Sequence, residues 1–199
     1  MKITSAAFHS SSPDLATCPE TDLPEFAFIG RSNVGKSSLI NMLTREEGLA
    51  KVSRVPGKTR LINFFTINNT WSLVDLPGYG YAKVGKKQRS SFSAFVAEYL
   101  QRRPNLLGTF VLIDVRLSPQ KLDLEFLHWM VGCGLPFVIA FTKADKLTEK
   151  AAQKNIEAFF GSMKEISEEP PEFVLSSSKS DTGRAEILGL IASALAGEL

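Results

Sequence analysis

The stretch FAFIGRSNVGKSSLINMLT, residues 26–44, decides the fold. An apolar run of strand length leads into a turn and then into a helical pattern, and the turn fits G-x-x-x-x-G-K-[ST] from Gly30 to Ser37. Glycines at Gly30 and Gly35 let the backbone fold back, so that its N–H groups converge on a phosphate at a helix N-terminus. Lys36 would neutralise the β- and γ-phosphates, and the Ser37 hydroxyl would ligate magnesium. The stretch predicts a phosphate-binding loop in an α/β domain.

Strand and helix patterns alternate along the rest of the chain, which predicts a mainly parallel sheet with helices on both faces. The predicted strands are Phe26–Ile29, Leu61–Ile67, Trp71–Asp75, Phe110–Val115, Pro136–Thr142 and Phe173–Ser176. The predicted helices are Lys36–Thr44, Lys86–Arg102, Gln120–Val131, Glu149–Lys164 and Ala185–Leu195. The turn signal Asn68-Asn69 makes the second and third strands a hairpin, which places one antiparallel strand at an edge. We expect six strands.

Length and composition limit the chain to one domain of ordinary core size, with 199 residues, 44% of them apolar and 10% aromatic. We expect a loop-like N-terminal extension over residues 1–24 and a single nucleotide-binding domain over residues 25–199. The apolar runs are far short of the roughly 20 residues that cross a bilayer. The first residues lack a secretory apolar core. Cys18 and Cys133 belong to no Cys/His cluster. We therefore expect a cytoplasmic monomer without membrane contact.

The net charge of +2 conceals two basic segments, residues 51–60 and 79–89, each with four basic and no acidic residues. Such segments fit salt-dependent contacts with a nucleic-acid backbone, although solvated surface charge would explain them equally. Tyr79 and Tyr81 could stack on RNA bases or on a protein, and core packing is the alternative for at least one of them. Arg102 and Arg103 could extend an RNA-facing surface, although their place at a helix C-terminus already favours cations.

The sequence DLPG, Asp75 to Gly78, follows a predicted strand and comes after the phosphate loop in the chain. An aspartate at the carboxyl end of a strand beside that loop can hold a magnesium-bound water. The Gly78 backbone N–H can donate to the γ-phosphate, and Leu76 and Pro77 complete the turn. The order of the two motifs predicts that this turn senses the metal and the γ-phosphate.

The sequence TKAD, Thr142 to Asp145, follows another predicted strand, where ligands of open α/β sheets bind. The Asp145 carboxylate can accept hydrogen bonds from N1–H and the 2-amino group of guanine, a donor pair that adenine lacks. The aliphatic stem of Lys143 can lie along the purine face. The alternative is that Asp145 merely caps a helix. A serine-rich loop, Ser176 to Ser178, is compatible with a backbone contact to the guanine O6.

A GTP-dependent switch also needs a hydroxyl that reaches magnesium only when the γ-phosphate is present. Thr59 is the candidate because it stands just before the second predicted strand, in a loop with Pro56, Gly57 and Lys58. A surface turn threonine is the alternative. The predicted metal ligands are therefore Ser37, Thr59 and, through water, Asp75.

These motifs resemble the EngB family of TRAFAC-class GTPases. The matching strings are EFAFIGRSNVGKSSLINML, VPGKTRLINFF, LVDLPGYGYAKV, LIDVR and FTKADKL, which span residues 25–147. The resemblance implies a Ras-like fold, GTP, GDP and Mg²⁺ binding, and slow hydrolysis of GTP to GDP and phosphate. It also implies a role in assembly of the large (50S) ribosomal subunit, with that subunit or its precursor as partner, linked to cell division and septation.

The GTP-binding residues that the motifs predict form four groups along the chain. They are Gly30, Arg31, Ser32, Asn33, Val34, Gly35, Lys36, Ser37 and Ser38; Pro56, Gly57, Lys58 and Thr59; Asp75, Leu76, Pro77 and Gly78; and Thr142, Lys143, Ala144, Asp145, Ser176, Ser177 and Ser178. Two positions depart from the general GTPase pattern. Thr142 stands where asparagine is usual, so the amide contact with the base is lost or replaced by a hydroxyl, and the last loop reads Ser-Ser-Ser instead of Ser-Ala-Lys.

Tyr79 occupies the position where many GTPases place a water-orienting glutamine. GTPases that use K⁺ in place of an arginine finger often carry asparagine at the position of Asn33, so K⁺ is a second candidate cation; local bracing of the loop is the alternative. The predicted catalytic residues are Lys36, Asn33, Thr59 and Gly78. Two functions stay open: a GTPase switch, and a GTP-dependent placeholder on ribosomal precursors with little turnover.

Overall fold

The computed structural model describes residues 1–51, 61–79, 86–167 and 169–198, and for residues 86–93 it describes the backbone alone. The strands are β1 (Ala6–Ser12), β2 (Glu25–Gly30), β3 (Ile62–Ile67), β4 (Trp71–Asp75), β5 (Leu106–Asp114), β6 (Phe137–Thr142) and β7 (Phe173–Leu175). The helices are α1 (Lys36–Thr44), α2 (Lys86–Arg102), α3 (Lys121–Gly132), α4 (Glu149–Met163) and α5 (Arg184–Ala196), with a 3-10 turn at Ala144–Lys146. The predicted α/β class is confirmed.

In the part of the chain that the structure describes, the sheet has seven strands in the order β1-β3-β4-β2-β5-β6-β7. Strand β3 pairs antiparallel with β1 and β4, and the other described strand pairs are parallel. The hairpin prediction is confirmed, because Asn68 and Asn69 both have positive φ, 51° and 54°, as the tight turn between paired strands requires. The six-strand prediction is wrong by one, and β3 is not at the edge.

The additional strand, β1, lies within the residues predicted to be loop-like. It forms because the β3–β4 turn binds the residues that directly precede β1. The Asn68 Oδ1 accepts from the backbone N–H of Thr4 at 2.7 Å and of Ser5 at 3.1 Å. The Ser11 hydroxyl donates to Asn63 Oδ1 at 2.7 Å farther along the pair. These polar contacts come from tertiary pairing, which an apolar-alternation pattern does not report. The division at residue 24 stays a prediction.

Side chains of the central strands alternate between two apolar layers. Ala27 and Ile29 of β2 face the layer that contains α2, α3 and α4, whereas Phe26 and Phe28 face the layer that contains α1 and α5. Both layers include fully buried aromatic residues, such as Tyr99 and Trp71. Helices therefore cover both faces of the sheet, as predicted. Among the described residues, no helix combines the length and the apolarity that a membrane crossing needs.

A buried ion pair holds the end of the domain opposite the phosphate loop. Glu25, fully buried at the start of β2, accepts from Arg103 at 2.6 Å and from the Tyr99 hydroxyl at 2.6 Å. Arg103 also donates to the carbonyl of Pro19 at 2.7 Å. Arg103 therefore does not extend an RNA-facing surface, because its guanidinium is buried against Glu25. Arg102 is exposed and pairs with Glu98.

Parallel strands β2, β4, β5, β6 and β7 all end at one edge of the sheet. The phosphate loop follows β2, Asp75 ends β4, Asp114 ends β5, Thr142 ends β6 and Ser176 follows β7. The topology thus gathers the sequence motifs at the carboxyl edge, where open α/β sheets bind ligands.

Candidate functional site

The phosphate loop joins β2 to the N-terminus of α1. Gly35, directly before the helix, has φ 110°, a conformation that a residue with a Cβ adopts only with strain, and Asn33 also has positive φ, 66°. A Cβ on Gly30 would lie 2.7 Å from the carbonyl oxygen of Leu112 on β5. The loop therefore turns tightly over β5 and presents the first N–H groups of α1, which favour an anion.

Lys36 and Asp75 form a direct ion pair at the centre of the site. Both residues are buried, with exposed fractions of 9% and 3%. Burial lowers the pKa of Lys36 to about 7, and the neighbouring carboxylate opposes that shift by favouring the charged amine. The pair places one cationic and one anionic group side by side next to the phosphate loop. That arrangement suits a phosphate on one side and a cation on the other.

The DLPG turn packs directly against the phosphate loop. A Cβ on Gly78 would lie 2.7 Å from the Gly30 carbonyl oxygen and 3.3 Å from the Ser32 nitrogen. The next residue, Tyr79, forms a parallel bridge with Arg31. Leu76 and Pro77 are buried, and the Leu76 N–H donates to the carbonyl of Phe28 at 3.0 Å. Only a residue without a side chain fits at position 78.

Tyr79 itself turns into the protein. Its ring stacks on Phe126 of α3, with 4.5 Å between ring centroids and 19° between planes. The ring of Tyr79 is therefore packed on α3, which favours the core-packing alternative for this tyrosine. Tyr81 and Lys83 lie outside the described residues, as do Pro56, Gly57, Lys58 and Thr59 of the predicted switch loop.

Asp145 lies in the 3-10 turn after β6 and is oriented by the neighbouring serine loop. The Ser177 hydroxyl donates to Asp145 Oδ1 at 2.8 Å, and Lys146 Nζ lies 3.2 Å from Oδ2. The Ser177 hydrogen bond holds the pKa of Asp145 below its ordinary value. Helix α4 is capped by Thr148, whose hydroxyl accepts from Ala151, so the alternative that Asp145 caps that helix is wrong.

The serine loop is held in place by the backbone of β6. The hydroxyl of buried Ser176 donates to the Phe141 carbonyl at 3.0 Å, and the Ala144 N–H donates to the Ser176 carbonyl at 3.1 Å. Ser178 is exposed next to them. The loops that carry Asp145 and Ser177 therefore form one unit.

Thr142 and Lys143 join that unit to the phosphate loop. The buried Thr142 hydroxyl donates to the Val34 carbonyl at 2.7 Å. It therefore braces the phosphate loop, whereas one expectation was that it contacts the base. Lys143 Nζ donates to the Asn33 carbonyl at 2.7 Å. Its stem passes over Gly35, since a Cβ there would lie 3.7 Å from Lys143 Cε. The base loop and the phosphate loop are thus fixed to each other.

Asp114, to which the sequence assigned no chemistry, anchors Lys143. Its Oδ2 accepts from Lys143 Nζ at 2.8 Å and from Arg116 at 2.7 Å. Burial alone would raise the pKa of Asp114, but the hydrogen bonds from Arg116 and Lys143 hold it below the ordinary value. The signal was present in the sequence: Asp114 ends a central parallel strand, where ligand-facing residues concentrate.

The oxygen ligands at this edge suit a hard cation. Ser37, at the start of α1, and Asp75, at the end of β4, offer a hydroxyl and a carboxylate, and magnesium in nucleotide sites is commonly held by one or two such groups with phosphates completing its shell. The residues present therefore fit Mg²⁺.

Comparison with known proteins identifies relatives over nearly the whole chain. Residues 25–143 match a family model described as "50S ribosome-binding GTPase". The chain is 53% identical over 191 residues to a probable GTP-binding protein EngB of Porphyromonas gingivalis, covering 96% of this chain and 95% of that protein. A protein of the same name from Bacteroides fragilis is 51% identical over 193 residues, covering 97% of this chain and 96% of the relative.

Solved structures show the same fold at lower identity. The crystal structure of a probable GTP-binding protein engB superimposes with a TM-score of 0.70 at 22% identity, covering 87% of this chain and 99% of that one. A single-residue variant of Aquifex aeolicus Era, bound to GDP.AlF4⁻, superimposes with a TM-score of 0.65 at 22% identity, covering 86% of this chain and 56% of that one.

Proposed function

Since this chain belongs to the EngB family of GTP-binding proteins and is a GTPase, we propose that it hydrolyses GTP as a switch in assembly of the large (50S) ribosomal subunit. The family description, which names ribosome binding, supports the partner. The two basic segments support contact with ribosomal RNA. Normal cell division would depend on the protein through the supply of ribosomes.

The observation that carries the guanine assignment is the Asp145–Ser177 hydrogen bond, 2.8 Å long, in a loop fixed to the phosphate loop. Ser177 occupies Oδ1 as a donor and leaves carboxylate lone pairs to accept from guanine. A carboxylate facing adenine would meet no matching donor pair, and an unmatched polar group costs binding energy. Replacement Asp145→Asn should therefore weaken GTP and GDP binding while leaving ATP binding as poor as before.

The proposed mechanism uses the charges already paired in the site. Lys36 would bind the β- and γ-phosphates, and Gly78 would donate its N–H to the γ-phosphate. Ser37 and Thr59, and Asp75 through a water, would hold Mg²⁺. When bound there, Mg²⁺ would neutralise charge on the phosphate oxygens. These groups lower the barrier by positioning the phosphates and by stabilising negative charge.

Completion of the site by a partner or by K⁺ is the second part of the proposal. Tyr79 is packed on Phe126, so its side chain does not orient a water. Asn33 is exposed in the phosphate loop and is the K⁺ ligand in this hypothesis. Equal turnover in KCl and NaCl at matched ionic strength, with and without ribosomal particles, would rule out the K⁺ part.

Two measurements test the switch. Pelleting with large-subunit precursors should be stronger with a non-hydrolysable GTP analogue than with GDP, and equal pelleting contradicts GTP control. Single-turnover hydrolysis should accelerate when precursor particles are added. A rate that stays slow and unchanged would favour the placeholder function, in which occupancy and not turnover matters.

A further inference from the structure

The N-terminal part of α3 contacts the phosphate loop and the segment that follows the DLPG turn. We call Gln120, Asp123 and Phe126 the α3 platform. The Arg31 guanidinium, on the phosphate loop, donates to Gln120 Oε1 at 3.2 Å. The ring of Tyr79, next to Gly78, stacks on Phe126. Since residues 31 and 79 also bridge each other, the platform supports the phosphate loop and the DLPG turn together.

Two buried polar atoms lie at this platform, one on Tyr79 and one on Asp123. Within the described residues, the Tyr79 hydroxyl and Asp123 Oδ1 are buried without a hydrogen-bond partner of good geometry. Asp123 and Phe126 are three positions apart on α3, so they share the side of the helix on which Tyr79 stacks. Burial first and the Asp123 carboxylate second raise the pKa of Tyr79. Buried polar groups in folded proteins are normally satisfied, so an imperfect buried contact calls for an explanation. A contact that must break and re-form during function provides one.

We propose that Asp123 and Phe126 are positioning residues for GTP hydrolysis: they hold Tyr79, Tyr79 holds Gly78 against the phosphate loop, and this hold loosens when Asp123 loses its proton. Gly78 already lies in close contact with Gly30 in this docked position. The inference rests on the proposed role of Gly78 at the γ-phosphate. It also explains why a tyrosine stands after the glycine: its ring anchors the turn to α3, and its hydroxyl meets a titratable group.

The direction of the proton effect follows from burial. Asp123 is 3% exposed, and burial raises its pKa to about 6. Release of Tyr79 would expose the carboxyl to water and return the pKa toward its ordinary value, so the docked turn binds the proton more tightly than the released turn. Docking is therefore favoured below about pH 6 and weakened as the pH rises through that value.

Other charged groups act on Asp123 in opposite senses. Arg31 of the phosphate loop favours the ionised carboxylate, whereas Asp114 at the end of β5 disfavours it. The Tyr79 hydroxyl also favours the ionised form. Burial outweighs these groups and raises the pKa of Asp123, but only to about 6, which is below neutral pH. At neutral pH the carboxyl is therefore mostly ionised, and the site holds a buried negative charge. The turn is then ready to leave α3, which would expose the Tyr79 ring to a partner.

The test compares single-turnover GTP hydrolysis by the full chain and by Asp123→Asn across the pH range around 6. Asparagine copies the size of the protonated acid and cannot ionise. We expect similar rates at low pH and a ratio of variant to wild-type rate that rises with pH through about 6. A ratio that stays constant with pH overturns the proton linkage.

A second variant tests the stack without titration. Phe126→Ala removes the surface on which Tyr79 rests, and we expect hydrolysis to fall about tenfold because Gly78 is less well placed. GDP affinity should be unchanged, since GDP has no γ-phosphate for Gly78 to contact. Unchanged hydrolysis in Phe126→Ala overturns the positioning role.

The control is Tyr99→Phe, which removes the hydroxyl of another buried tyrosine that contacts a carboxylate, Glu25. It should lower the free energy of unfolding and leave the pH profile of hydrolysis unchanged, and an altered profile would overturn the assignment to Asp123. Titration of the wild-type protein with fluorescent GDP separates failure of the proposed nucleotide site from failure of this inference. Absence of binding refutes the nucleotide site itself, whereas normal binding with a constant rate ratio refutes only this inference.

Discussion

The Thr142 hydroxyl donates to the Val34 carbonyl across 2.7 Å, so the end of β6 directly holds the phosphate loop. Thr142→Val keeps the shape of the side chain and leaves that buried carbonyl without its donor. We expect a loss of about 1 to 3 kcal/mol in the free energy of unfolding and weaker GDP binding. Urea unfolding and fluorescence titration measure the two effects. Thr142→Ser keeps the hydroxyl, and equal behaviour of both variants would contradict the role of this bond.

Asp114 should support nucleotide binding through Lys143. Asp114→Asn keeps a neutral acceptor for Lys143 Nζ, and a charge-assisted hydrogen bond is roughly twice as strong as a neutral one. We therefore expect GDP affinity to fall about threefold to tenfold. In a Lys143→Met background the same change should have a much smaller effect. Additive effects in this double-mutant cycle would show that Asp114 acts independently of Lys143.

The lowered pKa of Asp114 also predicts a pH dependence of stability. A carboxylate whose pKa is lower in the folded state stabilises the fold above its ordinary pKa, about 4, and loses that contribution as the pH falls through the lowered value. Asp114→Asn should therefore be less stable than wild type at neutral pH, and the two should converge in acid. Urea unfolding across this range measures the difference, and a constant gap would contradict the prediction.

Glycine-to-alanine changes should slow hydrolysis at one position and stabilise the fold at another. At Gly78 the new Cβ would lie 2.7 Å from the Gly30 carbonyl oxygen, so the turn must shift, and we expect hydrolysis to fall about tenfold or more. At Gly189, inside α5, a Cβ meets no atom of the described residues within 4 Å, and alanine should stabilise the helix by about 0.4 to 1 kcal/mol. Hydrolysis assays and thermal unfolding test the pair. Equal rates of hydrolysis in the two variants would contradict the close approach at Gly78.

Arg103→Met should destabilise the protein without altering the nucleotide site. It leaves the fully buried Glu25 carboxylate without its cation, and we expect a loss of about 3 to 5 kcal/mol in the free energy of unfolding. The control Arg102→Met removes an exposed pair with Glu98 and should cost at most about 1 kcal/mol. The double change Glu25→Gln with Arg103→Met should recover part of the loss. Comparable losses in the free energy of unfolding for Arg103→Met and Arg102→Met would contradict the burial of the pair between Arg103 and Glu25.

The sequence predicted those helices and strands whose pattern of apolar residues is visible within the segment itself. The bounds of α1, α2 and β4 match to the residue. The strand β1 was missed because it is a half-exposed edge strand rich in serine, stabilised by its contact with Asn68. Edge strands of this kind carry little apolar alternation.

The parts of the candidate site that follow from sequence motifs and from the ends of strands were predictable. Gly78 and Asp75 meet the phosphate loop as their order in the chain implied. The partners of single polar residues were not predictable, because they come from distant strands: Arg103 pairs with Glu25 across 78 positions. Tyr79 likewise finds its stacking partner on α3, and no local pattern in its own segment names Phe126.

The pairing of β1 with β3 has a consequence for the order of folding. Thr4 and the residue that binds it, Asn68, are 64 positions apart, so this strand has no partner until the β3–β4 hairpin exists. Local hairpins close quickly, whereas a long loop has to lose more entropy before its ends meet. On a chain still being synthesised, residues 6–12 therefore wait unpaired until their template has emerged, and the edge of the sheet is completed late.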